Sequence, residues 1–359
     1  MSTETEIQIG LIGAGNIGDA HLEAFQHVEG CTIVSITDVA LPLAQQKAQK
    51  YGIPHVHDSA ESMLRDDTLT AVIIAVPNRW HGPLAIQALQ AGKHVLLEKP
   101  MALDGAVAKD IVRAQRASGR QLMVAHQMRW QWHVMEIKRQ AEKGAFGNIY
   151  SAKTGWVRRK GIPGWGTWFT RKSESGGGPL IDIGVHMLDL TLYLMGNPKP
   201  VSVVGATYAE FGPRQRGIGS WGRPDWTGYY DVEDLATALI RMEDGSTLGL
   251  DVSWAVHTTT SNQPFVHLMG SEGGVSMEGD TATLLTEMYD RVVDLPLQHP
   301  ATDEGDRVRL SRHFLQCIRE NQEPISSALT GLTSNLILDA IFESSRTGRE
   351  VMLDWNLED

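Results

Sequence analysis

One run of six residues, Gly13-Ala14-Gly15-Asn16-Ile17-Gly18, constrains this chain more than any other stretch. A short apolar run (7–12) precedes it, and a helical pattern (Ala20, Leu22, Ala24, Phe25, Val28) follows as far as Gly30. Three glycines at this spacing, between a strand and a helix, suit a nucleotide-binding turn. Gly13 permits the tight turn, Gly15 lets the backbone approach a pyrophosphate, and Gly18 lets the helix lie close on the strand. Asn16 and Ile17 open that helix, whose first amides and positive dipole end suit phosphate. A second strand (33–36) runs into Thr37-Asp38. Asp38 stands where an acid takes the ribose 2′-hydroxyl of NAD, and its charge would repel the extra phosphate of NADP. NAD is therefore the expected cofactor.

The alternation continues. A helix is expected over 42–51 and a capping box at Asp58 and Glu61. Further elements are expected as a buried strand over 71–76, a helix over 83–92, a strand ending at Leu97, a helix over 104–118 and a strand over 122–125. Strands and helices in this order predict a doubly wound parallel sheet, a Rossmann domain over 1–125. Pro77, Asn78 and His81 follow a strand end and should face the cofactor, although His81 could equally brace a helix start. Glu98-Lys99-Pro100 follows another strand. Ligands bind at that edge of an open sheet, and Pro100 keeps Lys99 out of the α region. Taken alone, Lys99 reads as a surface lysine paired with Glu98. Beside a nicotinamide it reads as a proton-handling group.

Past residue 126 the pattern changes. A helix is expected over 131–143, then strand-like segments accumulate with few helices between them, at 149–157, 201–209, 235–242, 247–254, 265–269, 275–277, 282–285 and 292–295. They predict an α+β domain (126–359) with a large, mostly antiparallel sheet, whose final residues could pack back on the first domain. Gly176-Gly177-Gly178-Pro179 reads as a flexible loop opening a helix over 180–195. Asp182 and His186 on it are spaced i, i+4, so they share a face. Gly184 costs that helix about 1 kcal/mol against alanine, which implies a close approach by another backbone or a ligand. Trp156, Trp165 and Trp168, with Arg158 among them, suit a sugar, whose C–H faces pack on indole while charged groups take hydroxyls. The irregular stretch 212–230 is long enough for a lid or a subunit contact. His257 is a weaker candidate. Helices are expected over 306–321 and 334–348.

The glycine turn, Asp38 and the run Ala91-Gly92-Lys93-His94-Val95 leading into Glu98-Lys99-Pro100 resemble the Gfo/Idh/MocA oxidoreductases, a family that includes inositol dehydrogenases and glucose–fructose oxidoreductase. Asp182 and His186 after a glycine-rich loop resemble that family's second catalytic element. The resemblance covers nearly the whole chain and is thin at 210–230. It implies an NAD-dependent dehydrogenase that oxidises a ring hydroxyl of a sugar, glycoside or cyclitol. Lys99, Asp182 and His186 would be catalytic, with His186 the favoured base. The same residues, with Arg158, Trp156, Trp165 and Trp168, would hold substrate. Gly13, Gly15, Asn16, Ile17, Gly18, Asp38, Pro77, Asn78, His81, Glu98 and Lys99 would hold the cofactor. Chemistry alone leaves either Lys99 or His186 as proton acceptor. Two other readings keep the same fold: a glycoside-processing enzyme using a transient 3-keto intermediate, and a non-catalytic NAD-binding regulator.

Bulk numbers limit the partners. A net charge of -11 argues against nucleic acid and anionic membranes. Cys31 and Cys317 are the only cysteines, so neither a disulfide framework nor a cysteine-based zinc site is expected, and two ligands on one helix make no metal site. The polar start (2–6) lacks the apolar run of a signal sequence. A cytoplasmic enzyme is expected, and a dimer or, as the resemblance implies, a tetramer through the open face of the sheet.

Overall fold

The computed structural model describes residues 6–259 and 262–358. All of the polar start except Glu6 lies outside the described residues. The chain divides into two compact units, 1–130 with 304–332, and 131–303 with 333–359.

In the first unit, β1 (Ile7–Ile12), α1 (Asn16–Phe25), β2 (Cys31–Thr37), α2 (Leu41–Tyr51), β3 (His55–His57), α3 (Ala60–Leu64), β4 (Ala71–Ile74), α4 (His81–Gln90), β5 (His94–Leu97), α5 (Gly105–Ser118) and β6 (Leu122–Val124) follow in order. The six strands are parallel, in the order β3-β2-β1-β4-β5-β6. The order reverses between β1 and β4, so the carboxyl ends of β1, β4 and β5 open on the switch point where such sheets bind ligands. Buried Ile, Leu and Val fill β4 and β5 on both faces, as helices on each side require.

Local chemistry sets the ends of these elements. Gly52 and Gly119 close α2 and α5 with φ near +69° and +64°, a region that costs glycine little. Asp104 caps α5 through the Val107 amide, so it precedes the helix rather than beginning it. Ser59, not Asp58, caps α3, accepting from the Ser62 amide, while Asp58 accepts from the Ser59 and Ser62 hydroxyls. Asp58 lies one position too early to reach that amide.

The boundary expected at 125/126 falls at Trp130 instead, and residues 304–332 return to the first unit. The reason is burial. Helix α9 (Asp306–Glu320) carries Val308, Leu310, Phe314 and Leu315 into one core with Ile7, Ile9, Phe25 and Ile36. Arg309 donates to the Trp130 carbonyl at 2.6 Å, and Arg129 donates to that of Ile325.

The second unit holds α6 (Trp132–Glu142), α7 (Lys172–Ser175), α8 (Val185–Leu194) and a nine-stranded sheet. Its strands are β7 (Ile149–Val157), β8 (Pro200–Tyr208), β9 (Leu235–Met242), β10 (Thr247–Ser253), β11 (Gln263–Gly270), β12 (Gly274–Glu278), β13 (Thr281–Met288), β14 (Arg291–Pro296) and β15 (Val351–Met352). Every pairing is antiparallel except β7 with β10, so the sheet is mostly antiparallel as expected. Helix α10 runs from Ala328 to Thr347, six residues earlier than its periodicity suggested. Among the described residues no helix is long and apolar enough to cross a membrane.

Candidate functional site

The glycine turn has the shape of a phosphate cradle. A Cβ on Gly13 (φ +102°) would fall on the Ala75 carbonyl, and one on Gly18 would fall on that of Gly13. Gly15 is different: nothing lies within 4 Å of where its Cβ would be, so the backbone there faces open space. Asn16 and Ile17 are exposed beside it. Asp38 closes the cradle. Its carboxylate accepts from the amides of Ala14 and Ala40, each at 2.8 Å, which fixes it at the end of β2 with lone pairs to spare. These residues fit a dinucleotide whose phosphates lie over Gly15 and whose ribose meets Asp38.

Lys99 leaves β5 at the same edge of the sheet, and its backbone is clamped on both sides. Before it, Glu98 is 6% exposed and accepts the Lys99 amide at 3.2 Å. The carboxylate also meets the His21 ring at 2.9 Å and Arg307 at 3.4 Å. Burial pushes the Glu98 pKa up, but the hydrogen bond and charge of His21, with Arg307 and Lys99, outweigh it and hold the carboxyl well below the usual range. After it, the Lys99–Pro100 peptide bond is cis, and the His81 ring lies 2.6 Å from the Pro100 carbonyl and 2.8 Å from that of Val76. Burial drives the His81 pKa down, against the pull of those two carbonyls. Met101 and Ala102 are buried beyond.

Two expectations change here. His81, 1% exposed, ties the loop after β4 to the loop after β5 instead of presenting a ring to a cofactor. Glu98 is buried against His21 and Arg307, where it positions the Lys99 backbone. Pro77 and Asn78 do follow β4, at the start of a single 3₁₀ turn, with Asn78 buried.

In the second unit the helix that bears Asp182 and His186 begins irregularly. Leu180–Gly184 is a π-helical turn, and regular α8 starts only at Val185. Such widened turns recur at functional sites. The Asp182 carboxylate accepts from the Trp254 indole at 3.1 Å, and Trp254 is fully buried. His186 is 7% exposed on the same helix. A Cβ on Gly184 would meet Val252 of β10 and the Pro179 carbonyl, each at 3.3 Å, so the close approach is made by a strand side chain and the helix's own start.

The run 176–178 is pinned, contrary to the flexible loop expected. Gly176 takes φ +87° to end α7. The Gly178 and Leu180 amides donate to one oxygen of Glu233, at 2.9 and 3.0 Å.

The tryptophans divide. Trp165 is 5% exposed, donates to the Gly212 carbonyl and packs with Ile162, Ile183, Val232 and Trp254. It braces the loop and offers no face to a sugar. Trp156 and Arg158 stay half-buried, with the guanidinium 4.7 Å from the ring centre and both donating to Asn262. Burial lowers the Arg158 pKa and the Asp182 carboxylate opposes it, so the two charges feel each other. Trp168 lies against Phe169, which meets exposed Trp221 edge-on. The stretch 212–230 is strapped to 162–171: the Gly164 amide reaches Trp221, that of Asp225 reaches Trp165, and that of Gly219 reaches Ile162. These bonds argue against a free lid. His257 is exposed and touches Phe211 edge-on.

Sequence reasoning missed His21, Arg307, Trp254 and Glu233. The acidic pair Glu233-Asp234 just before an alternating strand was the available signal, because acids at the root of a buried strand need partners.

Comparison with known proteins agrees with this fold. Residues 7–126 match the model of the oxidoreductase family with an NAD-binding Rossmann fold, and 134–276 match the GFO/IDH/MocA C-terminal domain. The D-glucoside 3-dehydrogenase of Escherichia coli K12 is 30% identical over 98% of this chain and 99% of its own. The NAD(+)-dependent scyllo-inositol 2-dehydrogenase of Bacillus subtilis is 25% identical over 98% and 97%. A levoglucosan dehydrogenase solved in complex with NADH and L-sorbose superposes with a TM-score of 0.88 at 25% identity, over 98% of this chain and 99% of that one.

Proposed function

We propose, from the premise that the chain belongs to the GFO/IDH/MocA oxidoreductase family, that it oxidises a secondary ring hydroxyl of a sugar, glycoside or cyclitol. Bound NAD supplies the hydride acceptor. One observation carries the reading: Lys99 is held by buried partners at the nucleotide edge of its sheet, and Asp182 is held just as firmly one helical turn before His186.

Gly15 and the first turn of α1 would hold the phosphates and Asp38 the ribose. His186 takes the hydroxyl proton, and Lys99 donates a hydrogen bond to the same oxygen, lowering the cost of the alkoxide as it forms. Asp182, kept in place by Trp254, orients the imidazole or takes a neighbouring hydroxyl. Arg158 on the Trp156 face supplies donors for further hydroxyls, and Trp168 an apolar surface. The named relatives act on glucosides, inositols and levoglucosan, which supports a ring polyol as the substrate class. We place the enzyme in the cytoplasm. We further propose that it assembles as a dimer or tetramer through the open sheet face, where Val204, Tyr208 and Leu239 are exposed.

The test is to incubate the protein with NAD and a panel of glycosides, aldoses and cyclitols while following NADH absorbance. At least one member should give a sustained rise. Tight NAD binding with no rise for any of them would favour a regulator of the same fold.

A further inference from the structure

We propose that Glu233 is a positioning residue for this reaction: its buried carboxylate fixes the π-helical turn that carries Asp182 and, through it, the setting of His186. The kinetic part of this inference rests on the function proposed above.

The side chain of Glu233 is buried, and one of its oxygens takes both the Gly178 and the Leu180 amides. The first amides of a helix have no partner within it, so this carboxylate satisfies donors that would otherwise be stranded. Gly178 then acts as a peg. Its amide is held by Glu233, while its carbonyl accepts the amides of Ile181 at 3.1 Å and Asp182 at 3.0 Å. A shift of the Glu233 carboxylate therefore moves the residue that bears the Asp182 side chain.

The other end of the Asp182–Trp254 bond is fixed from the same place. The Trp254 amide donates to the carbonyl of Asp234 at 3.0 Å. Asp234 in turn accepts from the amides of Phe211 and Gly212, and the Tyr230 hydroxyl donates to the Glu233 carbonyl at 3.1 Å. Adjacent residues 233 and 234 thus hold both partners of one hydrogen bond.

The glycine run records this arrangement in the sequence. A Cβ on Gly178 would fall on the Glu233 carbonyl. A Cβ on Gly177 would stand 3.2 Å from the second Glu233 oxygen and 2.7 Å from the Phe342 ring. Gly178 makes room for Glu233, Gly177 chiefly for Phe342 and Ile181, and Gly176 serves its backbone angle.

The test compares Glu233→Ala, which removes the acceptor, with Glu233→Gln, which keeps an oxygen in the same place. With the full chain and a substrate from the panel, alanine should lower kcat about 10- to 100-fold, a loss of the kind that follows small misplacement of catalytic groups. NAD affinity should not change. Glutamine should stay within about threefold of wild type, because the acceptor geometry is kept. In NMR spectra the His186 ring resonances should move in the alanine variant and not in the glutamine one. If alanine prevents folding, Glu233→Asp, which withdraws the oxygen by one methylene, replaces it with the same expectation. Wild-type kcat and unmoved His186 resonances in the alanine or aspartate variant would overturn the proposal. Absence of turnover in the wild-type protein would instead overturn the functional reading, and the His186 resonances would then decide the role of Glu233 alone.

Discussion

Two buried carboxylates stand behind the two candidate catalytic segments, and they are stabilised in opposite ways. Glu98 faces the Arg307 guanidinium and the His21 ring. Glu233 is met by the peptide amides of Gly178 and Leu180. The first carboxyl is held well below its usual range. Burial pushes the second up, and the two amides recover only part of the cost. Each positions a backbone: Glu98 that of Lys99, Glu233 that of the Asp182 turn. The difference teaches that local geometry can be fixed either by charge pairing or by amide capping. The charge-paired version is the costlier one to disturb, because removing one ion leaves its partner uncompensated.

Glutamine at each site is the largest test of that contrast. Glu98→Gln should cost about 3–5 kcal/mol of stability, the usual penalty for breaking a buried ionic cluster. Glu233→Gln should cost less than about 1 kcal/mol, since the amides keep an acceptor and a buried charge is removed. Urea unfolding near neutral pH measures both, and equal losses would erase the distinction. Acid should separate the wild-type contributions as well. The contribution of Glu98, whose folded pKa is lowered, is present above the ordinary carboxylate value and fades as pH falls through the folded one. That of Glu233, whose folded pKa is raised, is present below the ordinary value and is lost as pH rises through the folded one.

His94 gives a smaller and separate effect in the first unit. Burial, with Arg120 nearby, drives its pKa down to about 4, and its Nδ1 accepts the Gln121 amide at 3.0 Å, which requires a neutral ring. The unfolded chain therefore binds a proton that the folded chain refuses between about pH 6.5 and 4, and stability should fall by about 3 kcal/mol on acidification through that window. His94→Asn keeps an acceptor that does not titrate, so its denaturation midpoint should vary less across the same window. An unchanged slope would remove His94 from the account.

Asp38→Asn is the mildest change. It removes the charge and keeps an acceptor for only one of the two amides, Ala14 or Ala40, that Asp38 accepts through separate oxygens. NADH should bind roughly tenfold more weakly, about 1.4 kcal/mol, and NADPH more tightly than to wild type. Fluorescence titration with both nucleotides would show it. An NADPH affinity that stays unmeasurable would mean that something other than Asp38 excludes the 2′-phosphate.

Much of the first unit was legible because its determinants are local. The glycine spacing, Asp38 and the apolar runs each act within a few residues of themselves, and the parallel sheet follows from their order. The resemblance built on the run 91–100 also holds, since both halves of the chain match that family. What stayed hidden depends on contacts distant in sequence. Glu98 meets Arg307 across 209 positions, and Glu233 reaches Gly178 across 55. No pattern within a window reveals such a pair. The return of α9 to the first unit was missed for the same reason: amphipathic periodicity shows that a helix has an apolar face, not which core receives it. Trp165 was misread because a tryptophan in a glycine-rich loop looks the same whether it faces solvent or, as here, its own loop's core.

The central claim is that Lys99 and His186 act in the chemical step and not in holding the cofactor. The direct measurement is turnover per bound NAD for wild type, Lys99→Ala and His186→Ala, with NAD binding measured on the same preparations. The account predicts that both variants bind NAD within a few fold of wild type and lose at least about a thousandfold in turnover. Variants that bind NAD poorly yet turn over normally once it is bound would contradict it.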